Sequence, residues 1–156
     1  MRNQVPVISL VGVAMDDARV ARLLQLYLHE WSGIFPERVR VGPDALFVYP
    51  KTSDHMRAAL FLDESAVPAG FALITRDERR VAHIEEFFVL VGVRRHGVGT
   101  AAARALIESE PGAWTLTVRP ENVGALEFWR CTMPGAVETV EVGVDGVVRT
   151  RLTLGV

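Results

Sequence analysis

Residues 81–108 read VAHIEEFFVLVGVRRHGVGTAAARALIE, and this stretch indicates the fold better than any other part of the chain. Residues 81–91 are mostly apolar and predict a long, largely buried strand. Gly97 and Gly99 then allow a sharp turn, and an alanine-rich helix to about Glu108 follows. The first turn of such a helix has free N–H groups, which together with the glycines make a site for an anion such as a pyrophosphate.

Two other phosphate-binding loops do not fit this turn. A dinucleotide-binding turn needs a third glycine, and Ala102 is the nearest residue to one. A P-loop needs Gly-Lys followed by Ser or Thr, which the chain lacks. A plain connection between a strand and a helix is the alternative interpretation.

The rest of the chain predicts further strands and helices in one mixed α/β domain, residues 1–156. A helix capped by Asp16 or Asp17 has apolar residues at helical spacing, and a shorter helix covers residues 122–130. Asp145-Gly146 predicts a tight turn between the last two strands. The additional predicted strands cover residues 5–14, 45–48, 57–62, 70–75, 114–118, 137–144 and 147–154.

Composition excludes several classes of protein. The net charge of −2 over 156 residues does not give the basic surface typical of nucleic-acid binding. The apolar N-terminal run is too short to span a bilayer, so no membrane partner is expected. Cys131 is the only cysteine, which excludes an internal disulfide and favours a cytoplasmic location. His29-Glu30 lacks a second histidine at metal-binding spacing, so no metal is expected.

Three motifs in order along the chain resemble the GNAT superfamily of N-acetyltransferases. Arg94-x-x-Gly97-x-Gly99 matches the family's Arg/Gln-x-x-Gly-x-Gly/Ala loop. Residues 122–129, Asn-Val-Gly-Ala-Leu-Glu-Phe-Trp, resemble its Asn-x-x-Ala-x-x-Phe-Tyr helix. Residues 84–89, Ile-Glu-Glu-Phe-Phe-Val, are similar to the Leu-Glu-Asp-Phe-Phe-Val strand of spermidine/spermine acetyltransferases. The likeness is specific from about residue 70 to residue 129.

The resemblance implies a GNAT-like fold, with a central, twisted, mostly antiparallel sheet, helices on both faces, and strands splayed at the cofactor cleft. It implies that acetyl-coenzyme A is the cosubstrate and that the acetyl group passes directly to an amine of a small molecule or peptide. A non-catalytic acyl-coenzyme A sensor is the alternative. The residues expected to contact the cofactor are Phe88, Val89, Arg94, Arg95, His96, Gly97, Val98, Gly99, Thr100, Asn122, Phe128 and Trp129.

The same resemblance implies that Glu85 is the general base that removes a proton from the amine. Side chains alternate along a strand, so Glu85 and Glu86 are expected on opposite faces, with only one of them in the cleft. His83 would share the face of Glu85 and could join a proton path. The residues expected at the acceptor are Tyr27, Glu30, Trp31 and Glu86.

Four further expectations concern single residues and the C-terminal hairpin. The Asn122 side chain should cap the helix that follows it. Cys131 should be a buried small apolar residue. Trp129 stands where many relatives have a tyrosine, and an indole is no practical acid, so no tyrosine is expected to act as the general acid. The open edge of the valine-rich hairpin suggests a homodimer.

Overall fold

The computed structural model of the protein describes residues 5–51 and 53–155. Within these residues the chain forms nine strands, three α-helices and two short 3₁₀ helices at Pro36–Arg38 and Val91–Val93. In chain order the main elements are β1 (Ser9–Val13), α1 (Ala18–Ile34), β2 (Arg40–Val41), β3 (Phe47–Val48), β4 (Arg57–Leu62), β5 (Pro68–Arg76), β6 (Ala82–Val89), α2 (Val98–Glu108), β7 (Trp114–Val118), α3 (Val123–Thr132), β8 (Val137–Val142) and β9 (Val148–Leu154).

Seven of the strands form one sheet in the order β1-β4-β5-β6-β7-β9-β8, while β2 and β3 pair separately. Only β6 and β7 are parallel, and every other neighbouring pair is antiparallel. The parallel pair is short, since it joins Ala82–Ile84 to Trp114–Leu116 and goes no further. Beyond Ile84 the two central strands are unpaired with each other, so a cleft opens in the middle of the sheet.

The helices cover both faces of the sheet. Helix α1 begins at the cap Asp17, whose carboxylate accepts a hydrogen bond from the Arg19 amide at 2.8 Å. Its buried residues recur at helical spacing and pack with Leu60, Phe71 and Leu73 on one sheet face. Helices α2 and α3 cover the other face, where the small residues Ala102 and Ala103 are fully buried. The predicted fold class, including helices on both faces and the splayed central strands, is confirmed.

Some predicted boundaries differ from those of the structure. The first strand begins at Ser9 and not at Val5, because Ser9 pairs with Leu62, the last residue of β4, and residues 5–8 have no strand opposite. The long central strand ends at Val89, where the chain turns into a 3₁₀ helix. The last turn holds Asp145-Gly146 as expected, and Gly146 has a φ of 75°. No helix in the described part of the chain is long and apolar enough to cross a membrane.

Candidate active site

The cleft between β6 and β7 holds two cavities that meet in the middle. One, of about 510 Å³, lies against the glycine turn and is called here the loop-side cavity. The other, of about 200 Å³, lies against the two adjacent glutamates and is called the carboxylate-side cavity. The two cavities adjoin, because both are lined by Phe87, Asn122, Ala125 and Trp129. A molecule bound in one cavity would therefore lie next to a molecule bound in the other.

The loop-side cavity contains most of the residues predicted to hold a nucleotide cofactor. Gly97 has a left-handed backbone, with φ of 81°, and directly precedes the first turn of α2. A Cβ atom added at Gly99 would lie 3.3 Å from the ring of Phe128, so Gly99 lies close to the cavity wall. The lining residues are Phe87, Val89, Arg94, Arg95, Gly97, Gly99, Thr100, Asn122, Gly124, Ala125, Phe128 and Trp129.

Arg94 forms contacts with two other elements of the protein. Its two terminal nitrogens each lie 2.8 Å from a carboxylate oxygen of Glu30, near the end of α1. Its Nε donates to the Val89 carbonyl at 2.7 Å, and its guanidinium lies 5.5 Å from the centre of the Phe88 ring. Arg94 therefore ties α1 to the end of β6 and to the glycine turn.

Glu86 lies at the base of the carboxylate-side cavity and is only 5% exposed. It accepts hydrogen bonds from the hydroxyl of Tyr27 and, at 3.1 Å, from the hydroxyl of Tyr49. The Lys51 ammonium lies 3.3 Å from Glu86 Oε1. Burial raises the pKa of Glu86, and the charge of Lys51 and the hydroxyl donors partly offset this rise. Burial and the charge of Glu86 also raise the pKa of both tyrosines.

Glu85 lies on the same side of the sheet as Glu86, so the expectation of opposite faces is wrong. A β-bulge causes this, because Leu73 pairs with Glu86 and Ile74 pairs with Ile84, leaving Glu85 as the extra residue. Thr75 donates a 2.7 Å hydrogen bond to Glu85 Oε1.

The second oxygen of Glu85, Oε2, is 3.9 Å from the ammonium of Lys51 and 4.0 Å from His83 Nε2. Neither contact is short enough for a hydrogen bond. His83 thus shares the face of Glu85, as predicted. Burial lowers the pKa of His83, although the Glu85 carboxylate opposes this effect.

Arg119 gives the carboxylate-side cavity a partly buried cation, whose side chain is 12% exposed. Its Nε and Nη2 donate to Glu121 at 3.4 and 2.8 Å, and its plane lies over Phe35, 4.1 Å from the ring centre. Its Nη1 is buried and has no hydrogen-bond partner among the residues that the structure describes. A buried guanidinium nitrogen without a partner is costly, so Nη1 is available to a hydrogen-bond acceptor.

The structure brings most of the predicted acceptor residues together. Tyr27, Trp31 and Glu86 line the carboxylate-side cavity, whereas Glu30 is bound to Arg94 and lines neither cavity. Among the residues predicted at the cofactor, Phe88, His96 and Val98 line neither cavity. Phe88 and Val98 are buried in the core, and His96 is exposed.

Among the residues of the site that were not predicted to belong to it, Tyr49, Lys51 and Arg119 bear most directly on its charge and hydrogen bonding. Tyr49 and Lys51 lie in the segment between β3 and β4, which showed no motif. The one usable signal was that Lys51 is the only lysine in the chain, beside sixteen arginines.

Two predictions about α3 need correction, and a third, which concerns metals, remains open. Asn122 is the N-cap residue of α3, but its side chain makes no capping hydrogen bond. Cys131 is exposed and not buried, because it lies on the outer side of α3. Among the described residues no group of three or more His, Cys, Asp or Glu could hold a metal ion.

Comparisons with known proteins agree with this architecture. The model of the acetyltransferase (GNAT) family matches residues 20–133, so the chain belongs to the GNAT acetyltransferase family. No curated protein matches the chain at a significant level.

Solved structures of several acetyltransferases share the fold. A Vibrio cholerae spermidine N-acetyltransferase, in complex with coenzyme A and spermine, is 14% identical, with a TM-score of 0.61 over 94% of each chain. A GNAT-family acetyltransferase of Staphylococcus aureus is 11% identical, with a TM-score of 0.58 over 95% of this chain and 98% of that one. A proposed streptothricin acetyltransferase of Bacillus anthracis, in complex with acetyl-coenzyme A, is 15% identical, with a TM-score of 0.58 over 98% and 99%. At these identities the likeness concerns the fold alone.

Proposed function

We propose that the protein transfers the acetyl group of acetyl-coenzyme A directly to an amine. The observation that carries this proposal is the junction of the two cavities at Phe87 and Trp129. A thioester that enters from the loop side would meet an amine that enters from the carboxylate side. Holding both reactants in one cleft removes much of the entropic cost of their encounter.

The loop-side cavity fits acetyl-coenzyme A. The left-handed Gly97 and the side-chain-free Gly99 let a pyrophosphate approach the N–H groups at the start of α2. The apolar rings of Phe128 and Trp129 would line the pantetheine arm. Beyond Ile84, the edge of β6 that faces β7 has no strand partner in the described part of the chain, so backbone N–H groups near Phe88 and Val89 are candidates to bind the thioester carbonyl.

Glu85 is the proposed general base, and its surroundings support that role better than those of Glu86. Both oxygens of Glu86 already have close partners, from two tyrosines and Lys51. Glu85 Oε1 accepts from Thr75, but Oε2 has no hydrogen-bond partner among the described residues. That oxygen can accept a proton from the amine, directly or through a water. Glu86 would bind the cationic form of the incoming amine.

The charges of the carboxylate-side cavity favour an acceptor that carries an anionic group as well as an amine. Glu85 and Glu86 attract the amine, while Lys51 and the buried Nη1 of Arg119 would repel a second positive charge. A polyamine carries several such charges and fits this lining less well. The Vibrio cholerae enzyme was solved with spermine, but its likeness to this chain concerns the fold and does not extend to the acceptor.

The experiment is the release of coenzyme A thiol from acetyl-coenzyme A with a panel of paired amines. Each pair has the same carbon skeleton, as in an ω-amino acid and the diamine of equal length, or an amino acid and its amide. We expect turnover, faster for the member with the carboxylate. Binding of coenzyme A without turnover of any amine would favour the alternative, a non-catalytic acyl-coenzyme A sensor.

Two expectations of wider scope stay predictions. A homodimer through β8 is supported by the open edge of that strand and by the exposure of Val137, Val140 and Val142. A cytoplasmic location is supported by the single cysteine.

A further inference from the structure

The only lysine of the chain lies in the carboxylate-side cavity. Lys51 follows Pro50 in the segment between β3 and β4, and both residues line that cavity. The Lys51 side chain is about half exposed, so solvent and small molecules can reach it. Every other basic side chain apart from the histidines is an arginine, which cannot be deprotonated to act as a nucleophile.

The Lys51 ammonium lies where the proposed acceptor amine would bind. Its Nζ is 3.3 Å from Glu86 Oε1 and 3.9 Å from Glu85 Oε2. It therefore contacts the carboxylate proposed to bind the amine and lies 3.9 Å from the proposed base. Glu85 and Glu86 directly precede Phe87, where the two cavities meet.

We infer that Lys51 is itself an acceptor, so that the protein acetylates its own single lysine. This inference rests on the proposed function, because it needs acetyl-coenzyme A in the loop-side cavity and Glu85 as the base. It differs from the proposed function in the acceptor, which here is a side chain of the same chain.

The step balances without any further reactant. Glu85 takes one proton from the Lys51 ammonium, and the neutral Nζ attacks the carbonyl carbon of the thioester. A carbon–nitrogen bond forms, the carbon–sulfur bond breaks, and the coenzyme A thiolate leaves. The amide nitrogen loses its second proton, and one of the released protons goes to the thiolate. The products are acetyl-lysine and coenzyme A.

Acetylation would change the charge of the cavity. An amide carries no charge, so Glu85 and Glu86 would lose the cation that lies between them. Because Lys51 partly offsets the effect of burial on Glu86, its acetylation would raise the pKa of Glu86 further. The modification would thus act on the same carboxylates that bind an external amine.

The test uses the purified full chain and acetyl-coenzyme A. A protease specific for lysine cuts the unfolded chain at Lys51 alone, and acetylation of Lys51 blocks that cut. After incubation, intact mass and protease resistance are measured together for wild type, Lys51→Arg and Glu85→Gln. Binding of coenzyme A by the variants shows that they are folded. The chemical background is the rate for wild type incubated in urea.

We expect wild type to gain one acetyl group and to become resistant, about a hundredfold faster than Glu85→Gln or the urea-unfolded chain. Lys51→Arg should gain none at this position. An unmodified Lys51 in a preparation that acetylates free amines would overturn this inference and leave the proposed function intact. Equal rates in the folded and unfolded chains would also overturn it. If Lys51 is acetylated but no free amine is, the inference stands and the external acceptor is wrong.

Discussion

Arg94 and Glu30 form a two-pronged ion pair, with both nitrogen–oxygen distances at 2.8 Å. The pair joins the end of α1 to the residue that begins the glycine turn. The positive charge of Arg94, which is predicted to act on a pyrophosphate, is therefore paired with a carboxylate of the protein itself. The two substitutions Arg94→Gln and Glu30→Gln separate these roles.

Arg94→Gln is expected to weaken coenzyme A binding by roughly tenfold, which corresponds to about 1.4 kcal/mol. Glu30→Gln is expected to leave the affinity unchanged or to raise it, because the guanidinium is then free to turn to the phosphates. Both partners are more than a third exposed, so their loss should cost no more than about 1 kcal/mol of folding free energy. Isothermal titration calorimetry measures the affinity. If Glu30→Gln weakens binding as much as Arg94→Gln, Arg94 acts by holding α1 in place and not by its charge.

Gly99 is expected to tolerate no acidic side chain while the cofactor is bound. A Cβ at this position would press on the Phe128 ring, and a carboxylate would repel the pyrophosphate. Gly99→Asp should lower the affinity for coenzyme A by more than Gly99→Asn, which has nearly the same size but no charge. Calorimetry on the folded variants compares them. Wild-type affinity in Gly99→Asp would remove the cofactor from this turn.

Glu86 is expected to give the protein a characteristic pH dependence of stability. Its pKa in the folded state is raised above the ordinary value of 4.5, so the folded state binds more protons than the unfolded state between these two values. The stability that Glu86 contributes is therefore full below 4.5 and is lost as the pH rises through the raised pKa.

Glu86→Gln removes this dependence, because the amide does not titrate. Its Tm relative to wild type should rise as the pH is raised from about 4 to neutral. The exposed Glu64→Gln is the matched control and should show no such trend. Thermal unfolding followed by circular dichroism provides the Tm values. A Tm difference that stays constant over this range would contradict the raised pKa.

Tyr27 and Tyr49 are expected to serve Glu86 and not the departing thiolate. Their hydroxyls donate to Glu86, and their raised pKa values make them weaker acids. Tyr27→Phe and Tyr49→Phe should each retain most of the maximal rate, since a thiolate with a thiol pKa near 8.5 leaves without a dedicated acid.

The KM for the amine is expected to change in these tyrosine variants, because Glu86 loses a hydrogen-bond donor. Loss of the buried Tyr27 hydroxyl should cost about 1–3 kcal/mol of stability. A fall of about a hundredfold in maximal rate, in a folded variant that binds coenzyme A, would show that a tyrosine is the acid.

The sequence predicted the fold because its signals are local. Apolar periodicity located α1, and the run from Ala82 to Val89 followed by the glycine turn located the centre of the sheet. It could not predict that Glu85 and Glu86 share a face. That result depends on the bulge in the hairpin of β5 and β6, where Glu85 is an extra residue, and the spacing of residue types along β6 does not reveal it.

The sequence also could not predict several polar residues of the acceptor site. Tyr49 and Lys51 come from a segment without regular periodicity, and they reach Glu86 only because α1 and this segment fold over the same sheet face. Nothing local marked Arg119 either, since its neighbours in the cavity, Phe35 and Glu85, are distant in sequence.

The most direct test of the account is the rate of thiol release from acetyl-coenzyme A by wild type, Glu85→Gln, Glu86→Gln and Glu64→Gln, with the best amine of the panel. We expect Glu85→Gln to lower the maximal rate by roughly 10²–10⁴ while it keeps the affinity for coenzyme A. Glu86→Gln should act mainly on the KM of the amine, and Glu64→Gln should match wild type. Wild-type turnover in Glu85→Gln, or a loss of this size confined to Glu86→Gln, would contradict the assignment of Glu85 as the base.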